Sequence, residues 1–153
     1  MDSQKSYQRI DINFPPWLSI AFRELGQSEI SGDGSNPRIV EFLNSVNLPL
    51  PDKNDDETPW CSAFVNWCIE KSEIMGTKSA MARSWVNWAN HIGVPAFGCV
   101  TVLSSGQDRR FGHVGFFVGF EDKDKIKLLG GNQSNSVSVC CFEKNRVIAH
   151  RWP

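Results

Sequence analysis

The pattern of apolar positions divides the chain into a helical first half and a second half of short strands. Up to about residue 90, apolar side chains recur three and four positions apart, the spacing of one helix face. After His91 the chain consists of short runs rich in β-branched and aromatic residues, which is typical of strands. Helices followed by strands predict an α+β fold, in which the N-terminal helices pack on an antiparallel β-meander.

The ends of the predicted helices carry recognisable signals. Helical spacing predicts four helices, at 14–26, 36–43, about 59–74 and about 79–88. Asn36 is a good N-cap for the second helix, with Pro37 at its first position. In the third helix Thr58 is the predicted cap and Pro59 the first residue, which places Cys61 in the first turn.

The second half contains five predicted strands. Their sequences are CVTVLS, HVGFFVGF, KIKLLGG, SVSVCCF and RVIAHRW. The sequence shows no internal repeat, low-complexity segment or linker. We therefore expect residues 1–153 to form a single domain.

Composition and charge exclude several classes of protein. The 153 residues are 41% hydrophobic and 22% charged, which is ordinary for a globular chain. A net charge of −1 argues against a protein held to nucleic acid by bulk charge. The apolar runs are too short for a membrane span, so no membrane insertion is expected. The segment MDSQKSYQRIDINF lacks the pattern of a signal peptide, which predicts synthesis in the cytoplasm.

The cysteines do not form a recognisable disulfide or metal framework. Five is an odd number, and the sequence has no C-x-x-C pair, so we expect no metal ion. Four of the five are interpreted as small buried hydrophobic residues: Cys68, Cys99, Cys140 and Cys141.

Cys61 stands apart because of its place at a helix start. Free amides and the helix dipole favour an anion there, which would lower the pKa of the thiol. The same amides could stabilise an oxyanion. Asp55, Asp56 and Glu57 oppose this effect through their negative charge. The alternative is a cysteine that simply packs in the core.

His113 is the predicted partner of Cys61. Strand alternation places His113, Gly115 and Gly119 on one face, and the glycines would leave room for a helix to approach. That geometry would bring an imidazole within reach of a thiol. His91, at a predicted helix end, and His150 are interpreted as structural or surface residues.

A third polar group would orient the imidazole. The segment GGNQSN supplies Asn132, which follows two glycines at a strand end, with Gln133 and Asn135 as rivals. The alternative is that this segment is only a hairpin turn, for which glycine and asparagine are common residues.

Three segments resemble motifs of NlpC-type cell-wall peptidases. WCSAFV is similar to their D-C-S-G-F-V nucleophile segment, GHVGFFVG to their H-V-G-I-Y-V-G strand, and FGCVTVL to the preceding G-D-L-V strand. The order of cysteine, histidine and a polar residue resembles the permuted papain-like arrangement of CHAP amidases. From the segment near Trp17 to the final R-W-P, the chain also resembles a small phage and bacterial family of peptidoglycan hydrolases.

The resemblance implies a papain-like (NlpC/CHAP-type) fold and assigns roles to three residues. Cys61 would be the nucleophile, His113 the base and Asn132 the orienting group, with no cofactor required. Trp60 replaces the aspartate that usually precedes the cysteine. It would either contact the substrate or pack as an anchor at the helix start.

Two more residues are expected near the substrate. Ser62 follows the nucleophile, and Gln133 follows the predicted orienting residue. The third position departs from the histidine common in NlpC-type enzymes, so it remains open between Asn132 and Gln133.

The implied function is a cysteine amidase or endopeptidase that cleaves the peptide part of peptidoglycan. Its substrate lies outside the cytoplasm, so delivery through phage lysis or a secretion apparatus is expected. A secreted antibacterial effector would have an immunity protein as a plausible partner. Two alternatives are a non-catalytic wall- or protein-binding module and a cysteine-dependent deamidase or transferase acting on a protein.

Overall fold

Helices cover one face of a six-stranded antiparallel sheet in the computed structural model, which describes residues 14–49, 52–106 and 108–153. The α-helices are α1 (Pro16–Arg23), α2 (Pro37–Leu43) and α3 (Cys61–Lys71). The 3-10 helices are Asp52–Asn54, Ala82–Asn87 and Lys144–Arg146. The strands are β1 (Asn90–His91), β2 (Val100–Ser105), β3 (Asp108–Phe120), β4 (Lys125–Gly130), β5 (Ser138–Glu143) and β6 (Val147–Trp152).

These elements confirm the predicted α+β class and the five predicted strands. The stretch that lacks signal-peptide features falls almost entirely outside the described residues. Within the described part of the chain, no helix is both long and apolar enough to cross a bilayer.

The second helix begins as its sequence predicts. The Asn36 side chain accepts a hydrogen bond from the amide of Arg38 at 2.9 Å, and Pro37 is the first helical residue. A capping bond of this kind satisfies one of the amides that a helix start leaves free.

The third helix begins two residues later than predicted. Its cap is Trp60 rather than Thr58, and Cys61 is its first residue. The Trp60 side chain is fully buried and its indole N–H donates to Glu29 at 2.8 Å. The Trp60 carbonyl accepts the first helical hydrogen bond, from Phe64 at 2.9 Å. The burial of the Trp60 indole therefore sets where α3 begins. The capping signals in the sequence do not show that this side chain is buried.

The predicted fourth α-helix is a short 3-10 helix, Ala82–Asn87. The amide of Trp88 bonds the carbonyl of Trp85 three residues earlier, at 3.2 Å. The two indole rings pack edge to face at 4.9 Å. The Trp85 N–H donates to Ser62 and the Trp88 N–H to the Met75 carbonyl. These tertiary bonds hold the segment in the tighter helix.

The sheet differs from a simple meander because its last strand, β6, does not pair with β5. It pairs with β2, at the opposite edge of the meander. Its strand order is β1-β6-β2-β3-β4-β5. Strands β2 to β5 form the predicted meander, but β6 pairs with β2, and β1, a strand that was not predicted, pairs with β6. The sequence shows no signal for this pairing.

A short connection forces the sheet to curl. Only Lys144–Arg146 joins β5 to β6, although four strand spacings separate them in the sheet. Four spacings amount to about 19 Å on a flat sheet, whereas this connection reaches at most about 14 Å. The sheet therefore curls, and it has a concave and a convex face.

Each face of the curled sheet has its own apolar cluster. The helices pack on the convex face against Val114 and Phe116 of β3. The concave face encloses Leu103, Phe117 and Leu128. Burying apolar surface on both faces stabilises the sheet and determines on which face the side chains of residues 113–118 of β3 lie.

The glycines of β3 do not make the space that was predicted for a helix. A Cβ at Gly115 would lie 3.1 Å from the Leu129 carbonyl oxygen on β4. The close approach that admits α3 is instead at Gly131, just after β4. A Cβ there would lie 2.7 Å from Phe64 and from the Trp60 ring.

We predict that Gly131→Ala destabilises the protein by about 1–3 kcal/mol, because the added methyl group overpacks the contact between this loop and α3. Gly93→Ala is the matched control, since a Cβ at Gly93 meets nothing within 4 Å. Urea unfolding of the two variants measures the difference. Equal unfolding free energies would contradict the packing described at Gly131.

Candidate active site

The Cys61 thiol lies where the start of α3 meets the edge of β3 that β4 leaves uncovered. Strand β4 ends at Gly130, so within the described residues no strand pairs with β3 on that side before Gly115. The backbone amide of Val114 lies near the Cys61 sulfur there and lowers the pKa of the thiol, as do the amides of Cys61 and Ser62. The nucleophile candidate thus sits against the peptide unit that joins His113 to Val114.

The pKa of the Cys61 thiol is shifted in the direction opposite to the prediction. Burial raises the pKa of the Cys61 thiol, and the three backbone amides only partly oppose this effect. A helix start was expected to lower that pKa. The expectation was wrong because the sulfur is largely withdrawn from water, and desolvation disfavours the anion more than the amides favour it.

His113 projects from β3 into the concave side of the sheet. Its ring packs against Phe142 with 5.2 Å between centroids, and its Nε2 lies 2.9 Å from Gln133 Oε1. Burial lowers the pKa of His113, the Gln133 hydrogen bond raises it, and the positive charge of Arg146 lowers it again. The histidine is therefore a neutral imidazole near pH 7.

The Gln133 side chain is locked by its own hydrogen bonds. Its Nε2 donates to the carbonyl oxygens of Ser138 at 2.8 Å and Leu128 at 3.3 Å. With its amide nitrogen committed to carbonyl groups, Gln133 presents Oε1 to the imidazole. Since Oε1 can only accept, His113 must donate from Nε2, and the Nδ1 lone pair is left free to take a proton.

The two glycines before Gln133 provide the space for this arrangement. A Cβ at Gly130 would lie 2.5 Å from Gln133 Oε1 and 3.5 Å from His113 Nε2. Any larger residue at Gly130 would separate the two side chains. Gly130 therefore leaves room for the contact between His113 and Gln133, and Gly131 leaves room for the start of α3.

Of the two residues that the sequence left open at the third position, the structure places Gln133, and not Asn132, in contact with His113. Asn132 has a positive φ of 56°, and among the described contacts it makes no hydrogen bond to His113. The left-handed backbone at Asn132 turns the chain, and Gln133 points inward instead. Asn135 also has a positive φ and is exposed. The GGNQSN segment is thus both a turn and the source of the imidazole partner.

Two predicted substrate contacts are inaccessible in this structure. Trp60 is fully buried, in agreement with its alternative interpretation as a helix anchor. Ser62 is also fully buried, and its hydroxyl donates to the Ser79 carbonyl at 2.7 Å. Gln133 is buried beside the imidazole, so it contacts His113 rather than solvent.

The remaining cysteines have no comparable setting. Cys68 and Cys99 are buried, as predicted, but Cys140 is half-buried and Cys141 is exposed. The prediction was wrong for this pair because β5 is an edge strand with alternating burial. Among the side chains that the structure describes, no three histidine, cysteine or acidic residues could hold a metal ion.

The other two histidines lie away from Cys61. His150 is hydrogen-bonded to Thr101 at 2.9 Å, consistent with a structural residue. His91 is exposed and belongs to β1 rather than to a helix end.

A cleft opens beside Cys61 with a volume of about 270 Å³. Its lining residues are Leu48, Thr58, Pro59, Cys61, Ala80, Met81, Ala82, Phe111 and Gly112. Cys61 is half-buried and forms part of the wall of this cleft. In the free protein no hydrogen bond joins Cys61 to His113 among the described contacts; catalytic bonds often tighten only when substrate binds.

Gln133 and Asn132 can be separated by mutation. We predict that Gln133→Ala lowers kcat for amide hydrolysis by about tenfold or more with little change in KM, because Gln133 positions the base without touching substrate. Asn132→Ala should leave kcat within about twofold. Gln133→Glu should move the acidic limb of the pH–rate profile to higher pH, since a carboxylate beside His113 favours its cationic form. A larger loss from Asn132→Ala would contradict this assignment.

Comparison with known proteins identifies the family. A family model described as the CHAP domain matches residues 53–132, which is a little more than half of the chain. The matched segment includes Cys61, His113 and Asn132, and it ends one residue before Gln133. No curated protein sequence matches the chain. The chain belongs to the CHAP domain family.

Proposed function

We propose that this protein is a papain-like cysteine hydrolase that cleaves an amide bond in the peptide part of bacterial peptidoglycan. CHAP domains are usually hydrolases that act on peptidoglycan, so membership in the family suggests an activity of this general kind. The observation that carries the cysteine mechanism is the fixed His113–Gln133 pair, beside the peptide unit that contacts the Cys61 sulfur.

The proposed reaction starts from a neutral thiol and a neutral imidazole. As the Cys61 sulfur attacks the carbonyl carbon, its proton passes to His113 Nδ1, the nitrogen that Gln133 leaves free. This transfer forms the thiolate only during attack, so a raised thiol pKa is compatible with catalysis. Gln133 accepts from Nε2–H throughout and favours the imidazolium that forms.

The start of α3 would stabilise the intermediate. The backbone amide of Cys61 lies at the sulfur and is available to a developing oxyanion, as a first-turn amide has no helical partner. His113 then protonates the leaving amine, and a thioester remains on Cys61. In the second stage His113 removes a proton from water, which attacks the thioester and releases the acid.

We also propose how the enzyme reaches its substrate. Peptidoglycan lies outside the cytoplasm, so lysis-linked release by a phage or export through a secretion system would be required. An exported antibacterial enzyme would be accompanied by an immunity protein that covers the cleft in the producing cell. Expression with and without an added export signal tests the location, since only the exported protein should lyse the host.

Digestion of purified peptidoglycan tests the activity. The protein should release new amino groups, and mass spectrometry of the fragments should show amide hydrolysis with the glycan chain uncut. Binding to peptidoglycan without any release of amino groups would instead support a non-catalytic binding module. Deamidation of a protein substrate, with peptidoglycan left intact, would support the other alternative.

A further inference from the structure

A second cavity lies at the end of the concave side that is far from His113. Its volume is about 430 Å³, which is within the range of small-molecule sites. Three of its lining residues belong to the apolar cluster of the concave face or pack against it: Ile92, Ile126 and Val147. Its lining residue on β3 is Phe120, which lies about 20 Å along the strand from His113. We call this cavity the distal pocket, and it lies apart from the candidate active site.

The walls of the distal pocket are held by hydrogen bonds. On one wall the Ile92 amide donates to the His150 carbonyl at 3.1 Å, which ties this wall to β6. On the other, the Lys144 amide donates to the Asp124 carbonyl at 2.7 Å, which ties the β5–β6 connection to the turn before β4. The His150 ring is hydrogen-bonded to the buried Thr101 hydroxyl at 2.9 Å. The pocket is therefore formed before any ligand arrives.

Large apolar side chains are exposed at the mouth of the distal pocket. Val94, Phe120 and Ile148 line it and are 79%, 50% and 38% exposed. The Lys144 ammonium stands at the same mouth, over the Phe120 ring and 5.5 Å from its centroid. Apolar side chains grouped around a cavity mark a binding site, whereas single exposed ones do not. The pocket thus favours a ligand with an apolar body.

The Lys144 ammonium is available to such a ligand. Among the described residues it has no ion pair, because the acidic side chains on the neighbouring surface lie beside other lysines. Asp124 lies 3.9 Å from the ammonium group of Lys123. Glu143 lies 3.9 Å from that of Lys125. A cation on an apolar rim without a carboxylate of its own is complementary to an anion.

The other ionisable groups of the distal pocket add no negative charge. They are His91 and His150, and no aspartate or glutamate lines the pocket among the described residues. Burial lowers the pKa of His150, and positive charge on His91 lowers it further, so His150 is neutral near pH 7. Among the described lining residues, Lys144 is therefore the side chain with a permanent positive charge.

We propose that the distal pocket is a binding site for an apolar monocarboxylate, whose hydrocarbon body lies against the concave cluster and whose carboxylate meets Lys144. A monoanion matches a single ammonium group. A phosphate monoester carries a charge of about −1.5 to −2 at pH 7, which this lining would leave partly unpaired. The inference goes beyond the proposed hydrolase and does not depend on it.

Titration of the full chain with octanoate tests the inference. Octanoate should bind saturably, with a Kd of about 1–10 mM, and should shift the backbone amide NMR signals of residues 91–94 and 147–150. Acetate has the carboxylate without the apolar body, and octylamine has the body with the opposite charge, so neither should bind in this range. Absence of saturable octanoate binding, or octylamine binding of equal affinity, would overturn the proposal. Tighter binding of octyl phosphate would overturn the choice of a carboxylate.

A pair of lysine variants tests the contact with the carboxylate. Lys144→Gln keeps the length of the side chain, removes its charge and should weaken octanoate binding by about threefold or more. Lys123→Gln is the matched control, because Lys123 is 89% exposed and does not line the distal pocket. It should leave the Kd within about twofold of the unmodified protein. Equal affinities of the two variants would overturn the role of Lys144.

Alkylation of Cys61 tests whether the two sites are separate. Protein treated with iodoacetamide until Cys61 is fully modified should bind octanoate with an unchanged Kd, because the distal pocket does not include this cysteine. Loss of octanoate binding on alkylation, or amide shifts confined to the cleft beside Cys61, would overturn a separate site.

Discussion

Cys61→Ser is expected to reduce the release of amino groups from peptidoglycan by about 10³-fold or more. A serine hydroxyl keeps the shape of the residue, but its much higher pKa makes it a poor nucleophile towards an amide. The substitution should not unfold the protein, since the side chain is close in size and lies at the edge of a cleft. Amino-group release from purified peptidoglycan and thermal unfolding of both proteins provide the measurements.

The remaining cysteines supply a control for this result. Cys141→Ser alters an exposed thiol on β5 and should leave the rate unchanged. Cys61→Ser should still bind peptidoglycan fragments, because binding does not depend on the nucleophile. A Cys61→Ser protein that hydrolyses peptidoglycan at the normal rate would contradict a role for Cys61 in the chemistry.

The second large effect is expected at His113. Replacement by alanine removes the general base and should reduce kcat by about 10²- to 10⁴-fold. The pH dependence of the unmodified enzyme should reflect the same residue. Only neutral His113 can accept the thiol proton, and its pKa is lowered by burial. Activity should therefore be retained as the pH falls to about 6.5, the ordinary value for histidine, and be lost only below it.

The pH–rate profile of kcat/KM for peptidoglycan fragments measures this limb. His150→Asn is a suitable control, because His150 is also a partly buried histidine with a lowered pKa but lies away from Cys61. Its profile should overlay that of the unmodified enzyme. An acidic limb well above 6.5 would contradict the buried, neutral imidazole described for His113.

Local signals predicted much of the fold. The Asn36–Pro37 pair marks the start of α2 because capping depends on neighbouring residues alone. The strands were identified by their β-branched and aromatic content for the same reason. The pairing of β6 with β2 depends on the curl of the whole sheet. No local pattern encodes that curl, so the sequence predicted a plain meander.

The candidate site was predicted in outline but not in its details. The types and order of Cys61 and His113 indicated a cysteine–histidine pair. The choice between Asn132 and Gln133 depended on the backbone at Asn132, where a positive φ turns the chain and sends the next side chain inward. The direction of the Cys61 pKa shift depended on burial by distant segments. Tertiary structure determines both properties.

The most direct test of the central claim is to relate activity to chemical modification of Cys61 alone. In a Cys141→Ser background, iodoacetamide is added for increasing times, and peptide mapping gives the modified fraction of each cysteine. The account predicts that peptidoglycan hydrolysis falls in direct proportion to the modified fraction of Cys61 and reaches zero when that fraction is complete. Substantial hydrolysis by protein whose Cys61 is fully alkylated would contradict the claim that this thiol is the nucleophile.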